Sequence, residues 1–536
     1  MHKKNYETFS SDMDFSGYEY FVIGSGIGGL TAATWLAKAG KKVAVFERHY
    51  VPGGFTHSFK RKHGFKWDVG VHYVGNMDKN ESLLGMFNFI TDDKLKWESM
   101  GNVYDVVHVG GKKYQFRAGK ENFRKQFIAY FPKEEDVINK YISLIEKANK
   151  RGAAFFFEKV FEPWLSKSLG WIIRKRYAHY SQKTTWEVLS KLTDNKLLIA
   201  VLCGQCGNYG LSPKYSSFGA HAMVIAHFME GGYYPKGGAD KICHNIIEVL
   251  NALGSKVFIN ADVQEIITKN NKVTGIKIDN TVIKSSNVIS NVGVDNTFNQ
   301  LLSKSAKKRC NFNLREVKPA SGHMCLYIGL NKSSAELNLP KHNVWYYANE
   351  NTDELIEKTN LADAPNNFAY ISFPSAKDSE WETENPGTST IQAMSVGLYD
   401  WFSAYENQPW MNRDDAYKKM KANFEMTMLN KIYSLFPQLK GHVQVTEVSS
   451  PLSTRHFSNY KHGEIYGLAH TPNRFKLPFL RPKTKIKGLK LTGQDITLVG
   501  VSGAMLSGVL CATTILKLRS WRVFKKMNKA NKTVTV

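Results

Sequence analysis

The stretch YEYFVIGSGIGGLTAATWLAKAGKKVAVFERHYVPGG, residues 18–54, decides the fold. Residues 18–23 read as a buried strand that runs into Gly24-Ser25-Gly26-Ile27-Gly28-Gly29. LTAATWLAKAG (30–40) has the apolar spacing of a helix ended by Gly40, and residues 42–46 form a second strand closing on Glu47. Strand, GxGxxG, helix, strand and acid follow in the order a dinucleotide-binding fold requires. Gly24 makes the tight turn, Gly26 admits a pyrophosphate, and Gly29 lets helix and strand pack closely. The helix N-terminus offers free N–H groups to phosphates. Glu47, eighteen residues past Gly29, is placed to accept from ribose hydroxyls.

Gly53-Gly54 then falls where an NAD dehydrogenase would proceed to another βα unit. A second glycine pair so early suggests another close backbone approach to the cofactor, which favours FAD over NAD. The far end of the chain supplies a partner: KLTGQDITLVGVSGAMLSG (490–508) places one acid, Asp495, among small residues. Residues 489–491 read as a late strand, Gly493 and Asp495 as a cofactor contact, and 501–516 as a helix pointing its N-terminus at the flavin. The two chain ends are thus expected to build one site.

At 536 residues the chain is long enough for two or three lobes, and 43% hydrophobic with 22% charged residues is a globular composition. The net charge of +25 calls for an anionic partner. Zinc-finger spacing and RNA-binding aromatic signatures are missing from the sequence, so nucleic acid is not expected. Six cysteines give no disulfide framework, and Cys203-Gly-Gln-Cys206 reads as buried thiols; no metal site is expected. Residues 1–20 lack the apolar segment of a secretory signal. Residues 499–516 carry no charge, yet their Gly, Ser and Thr content suggests a buried helix rather than a membrane span.

Longer strings carry a resemblance to a known family: ERHYVPGG (47–54), WDVGVHYVG (67–75), YGLSPKYSSFGAHAMVIAHFMEGGYYPKGGADKI (209–242), ADVQEI (261–266), ISFPSAKDSEWETENPGTST (371–390) and GLKLTGQDI (488–496). Through them the chain resembles the phytoene desaturase and carotenoid isomerase family of FAD-dependent oxidoreductases from about residue 18 to 516. The resemblance implies an α/β fold with a Rossmann-like FAD domain of glutathione-reductase type and an interleaved α+β substrate domain. The FAD domain is expected from 15–100, 235–300 and 485–518, and the substrate domain from 101–234 and 301–484. FAD contacts are expected at Gly24, Ser25, Gly26, Ile27, Gly28, Gly29, Glu47, Arg48, Gly53, Gly54, Gly493 and Asp495, with Val263 offering backbone to the adenine. Residues 256–288 alternate as a meander of short strands, agreeing with this plan.

The implied chemistry is hydride transfer at flavin N5 to or from a lipophilic polyene or isoprenoid, with saturation of a C=C bond ahead of desaturation or isomerisation. An amine oxidase is disfavoured because Phe55, not Arg, follows Gly54. A prenyl-binding escort protein is disfavoured because the fingerprint is whole. Candidate proton donors are His72, Tyr73 and Tyr233. A single dinucleotide fingerprint makes NAD(P)H at most an external electron donor.

Residues 154–176 mix Phe, Trp, Leu and Ile with Lys and Arg in the manner of a helix lying in a membrane interface. In the tail, 519–536, Trp521, Phe524 and Met527 continue a three-residue apolar spacing from Leu518, and residues 517–532 carry seven basic and no acidic residues. Both segments are expected to meet an anionic membrane. The N-terminal membrane-targeting segment of animal relatives has no counterpart here, which suggests a bacterial protein, cytoplasmic and peripherally membrane-associated.

Overall fold

The computed structural model describes residues 5–78, 81–310, 312–314 and 316–533. Strands β1 (Glu7–Thr8), β2 (Tyr20–Ile23), β3 (Val43–Phe46), β4 (Val103–Val109), β5 (Lys112–Arg117), β6 (Lys256–Ile259), β7 (Val288–Ser290), β8 (His323–Leu330), β9 (Asn343–Tyr347), β10 (Phe368–Ser372), β11 (Ser389–Val396), β12 (Val443–Ser449) and β13 (Leu489–Leu491) form two large sheets. The helices that position the site are α1 (Ile27–Lys38), α2 (Ser82–Thr91), α3 (Glu135–Glu158), α4 (Pro163–Ser181), α5 (Phe218–Phe228), α6 (Asp240–Ala252), α7 (Gly500–Leu516) and α8 (Ser520–Thr533).

The first sheet runs β1-β6-β3-β2-β7-β13, parallel throughout. Its central strands are buried on both faces, and β3 is uninterrupted Val-Ala-Val-Phe, as a parallel sheet covered on both sides demands. It gathers residues from both chain ends and from 256–290, and β1 joins it eight residues before the expected domain start at 15. Residues 263–284 form a separate three-stranded antiparallel sheet.

The small residues of 500–508 are explained by packing. A Cβ on Gly508 would lie 2.5 Å from the Gly28 carbonyl oxygen and 2.7 Å from Thr31 Cβ; one on Gly28 would lie 2.9 Å from the Ala504 oxygen. Helices α1 and α7 therefore meet nearly backbone to backbone. Residues 500–530 include a window with mean hydropathy 1.6, long and apolar enough to cross a membrane, but half of that window is buried within the protein.

The second sheet runs β12-β8-β11-β10-β9-β4-β5, antiparallel except for the β9–β4 pair. One face packs Leu326, Ile328, Val344, Ile371 and Ala393 against Phe424 and Met428 of a helix at Asp415–Leu435. The other face looks toward the first sheet.

Both segments expected at a membrane differ in detail from that expectation. Residues 154–176 are not one helix, because α3 ends at Glu158 and Pro163, with no N–H to give, opens α4. Around that corner Phe157, Trp164, Leu169 and Trp171 are exposed. In the tail, Met527 is buried beside Val523, and the Phe524 ring packs 5.3 Å from Trp35 of α1. Only Leu518 and Trp521 of the four expected apolar residues face solvent, because Phe524 packs on Trp35 of α1 and Met527 is buried in the core that α1 and α2 share. Residues 534–536 of the expected tail lie outside the described residues.

Candidate cofactor and substrate site

A cavity of about 1140 Å³ lies between the two sheets. Its first part is glycine backbone: Gly24, Gly26, Ile27, Gly28, Gly54 and Gly493 line it. A Cβ on Gly54 would come within 3.0 Å of the Gly26 Cα, so the two glycine loops are in backbone contact. Gly24 (φ 93°), Gly53 (φ 116°) and Gly493 (φ 102°) hold conformations that L side chains resist. Both α1 and α7 open at this cavity with N-termini that no side chain caps, so donors and the positive ends of two helix dipoles face it.

Side chains set the loops. Glu47, at the end of β3, accepts from the Ser25 amide (2.9 Å) and hydroxyl (2.6 Å) with Oε2, and from the His49 amide (2.9 Å) with Oε1. Ser25 also accepts from the Gly53 amide at 2.9 Å, joining the two glycine loops. Ser25, Gly29 and Gly53 stand behind the wall, whereas Glu47, Arg48, Val263 and Asp495 are on it. Gly29 lets α1 approach β2: a Cβ there would lie 2.3 Å from the Gly24 carbonyl oxygen.

Asp495, expected as a cofactor contact, also has a structural task. Its oxygens accept from the Val294 and Leu468 amides, each at 2.9 Å, so it clamps two loops together, leaving further lone pairs for a ligand. Asn291 carries no expected role, yet its side-chain amide reaches the Gly24 and Gly26 oxygens at 3.3 Å and ties the fingerprint to β7. Uncapped helix ends, glycines where a Cβ would collide and a buried carboxylate at the end of β3 suit the pyrophosphate and ribose of FAD.

Beyond the cradle the wall is built by the second sheet. Side chains alternate across strands, so the pairings Met394↔Tyr370 and Tyr370↔Trp345 make one row toward the cavity. Two residues along each strand, the pairings Gln392↔Ser372 and Asn343↔Asp105 lie in a second row on the same face. The first row is largely aromatic and lines the cavity with Phe368, Val396, Leu398 and Tyr466. The second is polar and wholly buried.

Buried polar groups need partners, and this row finds them in the loop at residues 68–73. Gln392 donates to the Asp68 carbonyl (2.8 Å), Lys377 to the His72 carbonyl (2.9 Å), and the Tyr73 hydroxyl to Asp105 (2.9 Å). Lys377 also donates to Asn343 Oδ1 (2.5 Å) and Ser372 Oγ (2.7 Å), while Asn343 donates to Asp105 (2.9 Å). Burial raises the Asp105 carboxyl to about 6, against the hydrogen bonds of Asn343, Gln205 and Tyr73. Burial lowers Lys377 to about 7, against the attraction of Asp105 and Asp68.

The three expected proton donors separate. His72 is on the cavity wall, but burial and then the Lys377 and His323 charges lower it to about 3, so it is neutral at physiological pH. Tyr73 lies behind the wall, its ring stacked on Phe228 at 4.1 Å and its hydroxyl spent on Asp105. Tyr233 is not on the wall, and its hydroxyl donates to Asp78. Tyr370, Trp345, Asp105 and Lys377 are the residues that sequence reasoning does not reach. Ser372 and Lys377 sit inside ISFPSAKDSEW, part of a string that carries the family resemblance but has no local chemical motif to single them out. Among the described residues no cluster suits a metal ion, and all six cysteines are buried and free.

Comparison with known proteins places the class. The family model described as flavin containing amine oxidoreductase matches residues 27–317. A putrescine oxidase bound to putrescine shares the fold at a TM-score of 0.60 and 15% identity, over 93% of this chain and 99% of that one. The chain belongs to the flavin-containing amine oxidoreductase family and is an FAD-dependent oxidoreductase. Within that family it is 31% identical to the all-trans-retinol 13,14-reductase of Danio rerio over 95% of this chain and 88% of the relative. It is 25% identical to the chloroplastic prolycopene isomerase of Daucus carota over 92% and 79%. This is the desaturase and isomerase branch that the sequence strings implied.

Proposed function

We propose that this protein saturates one C=C bond of a lipophilic polyene, with FAD held by Gly24, Gly26, Gly28, Gly54, Glu47, Gly493 and Asp495. When bound and reduced, FAD supplies the hydride. The observation that carries the reading is the wall of Trp345, Phe368, Tyr370, Met394 and Leu398, which continues the glycine cradle as an apolar chamber. Such a chamber excludes water and holds a conjugated chain by dispersion and burial. The likeness to retinol reductases along nearly the whole chain supports saturation over the other reactions of this scaffold.

The test is anaerobic. The holoenzyme is reduced with dithionite, freed of excess, and mixed with all-trans-retinol. Recovery of the flavin's visible band with a product two hydrogens heavier supports the reading. A flavin that stays reduced over intact retinol sinks it for that substrate, and conversion of a cis-carotene without net redox change would assign the isomerase reaction instead.

Two further features complete the reading. Arg413, Lys418 and Lys421 line the cavity beside Trp410, a cationic edge suited to the phosphates of NAD(P)H as external electron donor. The exposed apolar side chains at the α3–α4 corner and at Leu518 and Trp521 belong to one neighbourhood, because Lys483 and Lys517 both pair with Glu162 at that corner. We assign it to an anionic membrane surface on which the enzyme rests peripherally. None of those side chains lines the cavity, so the resting surface and the substrate wall are separate.

A further inference from the structure

Saturation needs a proton as well as a hydride, and the residues expected to give it do not qualify. His72 is held neutral, Tyr73 is spent on Asp105, and Tyr233 is away from the cavity. Tyr370 differs from all three. It is 5% exposed, it is on the cavity wall, and its hydroxyl has no hydrogen-bond partner among the described residues. A buried hydroxyl without a partner costs stability of order 1–3 kcal/mol, so its retention beside the cavity calls for a reason other than packing. Two positions along β10 on the same face, Ser372 Oγ accepts from the Lys377 amine at 2.7 Å. Burial and then the Asp105 charge hold the Tyr370 phenol well above its ordinary range, so it keeps its proton, and the nearby Ser372 hydroxyl works against them.

We propose that Tyr370 protonates the substrate carbon next to the one that receives the hydride, and that Lys377 restores that proton through Ser372. The inference rests on the polyene-reduction reading. With the hydride that bound, reduced FAD would supply to one alkene carbon, the π electrons form a C–H bond to the proton of Tyr370 on the other. The Tyr370 O–H bond breaks and leaves a phenolate. Ser372 passes its hydroxyl proton to that phenolate and takes one from the Lys377 ammonium. The amine left behind takes up one proton from solvent before the next turnover. Net, the alkene gains two hydrogens, the flavin is oxidised, and one proton is drawn from solvent.

Lys377 is placed for this task by geometry. Its three donors meet three acceptors, the His72 carbonyl, Asn343 Oδ1 and Ser372 Oγ, which is the full complement of an ammonium. The groups that bear on its charge come from every side. Asp105 of β4 and Asp68 attract it, His72 and His342 are depressed by it, and the Tyr234 ring lies 5.9 Å away. Burial outweighs the two carboxylates and leaves it near 7, where donation and recharging are both accessible at physiological pH.

Tyr370→Phe removes one oxygen and keeps the ring packed on Trp345. With the dithionite-reduced holoenzyme and all-trans-retinol in single turnover, flavin reoxidation should slow by at least about 100-fold, with flavin content and retinol binding unchanged. Under repeated turnover with excess dithionite the wild-type rate should decline above pH 7, where Lys377 loses its proton, and Ser372→Ala should lower the rate and remove that decline. A Tyr370→Phe rate within twofold of wild type overturns the proposal. If wild-type enzyme consumes neither retinol nor a cis-carotene, the functional reading is what fails. The relay is then judged on ¹⁵N-lysine NMR of the wild-type protein, the Lys377 signal assigned with Lys377→Met and Lys377→Arg. An amine that titrates near pH 7 supports it, and one that stays charged through pH 9 overturns it.

Discussion

The two walls of the cavity are made differently. The cofactor wall is backbone: Gly24, Gly26, Gly28, Gly54 and Gly493 present amides and open space, and few side chains intervene. The substrate wall is side chain: two rows on one sheet face, drawn from strands between residues 103 and 396 and stitched to the loop at 68–73. A backbone wall tolerates no added atoms, so its failures should be abrupt. A side-chain wall tolerates conservative change, so its failures should be graded and dependent on pH.

Gly29→Val should give the largest effect. Its Cβ would fall 2.3 Å from the Gly24 carbonyl oxygen, and no rotamer relieves a clash with backbone. Either α1 moves off β2 or the turn at Gly24 opens, and both destroy the phosphate cradle. Purified variant should carry no flavin by its visible spectrum and melt well below wild type. A yellow, fully loaded Gly29→Val protein would end the claim that this wall is set by backbone contact.

Asp105→Asn probes the other wall through pH. The folded-state carboxyl sits at about 6, above the ordinary value near 4, so the native state binds a proton more tightly than the unfolded chain. Its contribution is therefore fully present below pH 4 and is lost as pH rises to 6. A carboxyl moved from near 4 to about 6 makes that loss about 2–3 kcal/mol. Buried histidines such as His221, lowered to about 3, act in the opposite sense over the same range, so only the difference between variant and wild type is informative. Relative to wild type, Asp105→Asn should gain stability between pH 4 and 6 in urea unfolding, and a flat difference would remove Asp105 from the buried network.

The same contrast explains what can be read from the sequence. Strand ends, the glycine turn, α1 and the late strand at 489–491 are legible because glycine spacing and apolar runs are local signals. Even the joining of the chain ends follows from chemistry carried by Asp495. The rows Met394–Tyr370–Trp345 and Gln392–Ser372–Asn343–Asp105 have no such signal. Their members are ordinary strand residues until register places them side by side, and register across some 290 residues is a tertiary fact. Phe524 and Met527 mislead for a related reason: an amphipathic helix has the same pattern whether protein or lipid covers its apolar face.

Glu47→Gln sharpens the contrast within the cofactor wall, because it changes a side chain in a region governed by backbone. Gln keeps one oxygen for Ser25 or a ribose hydroxyl but loses the charge and one acceptor. FAD affinity should fall by roughly tenfold to a hundredfold, about 1.5–3 kcal/mol, with the fold retained. Fluorescence titration of the apoprotein with FAD measures it. A loss as complete as that of Gly29→Val would mean that the carboxylate, not the glycine turns, sets the site.

The smallest effect should come from a region that belongs to neither wall. Trp164 is 72% exposed and Trp171 is 55% exposed, so the double change Trp164→Ser, Trp171→Ser removes little packing from the folded protein. Melting temperature, flavin content and retinol turnover in detergent should stay at wild-type values. Sedimentation with vesicles rich in anionic phosphatidylglycerol should weaken by about tenfold or more, since each tryptophan contributes on the order of 1 kcal/mol at an interface. Neutral phosphatidylcholine vesicles should bind both proteins weakly, because Lys517, Arg519 and Lys175 beside the patch lack anionic headgroups there. If the double variant binds anionic vesicles as wild type does, the exposed aromatics have another partner. If it also loses turnover in detergent, the resting surface and the substrate wall are coupled after all.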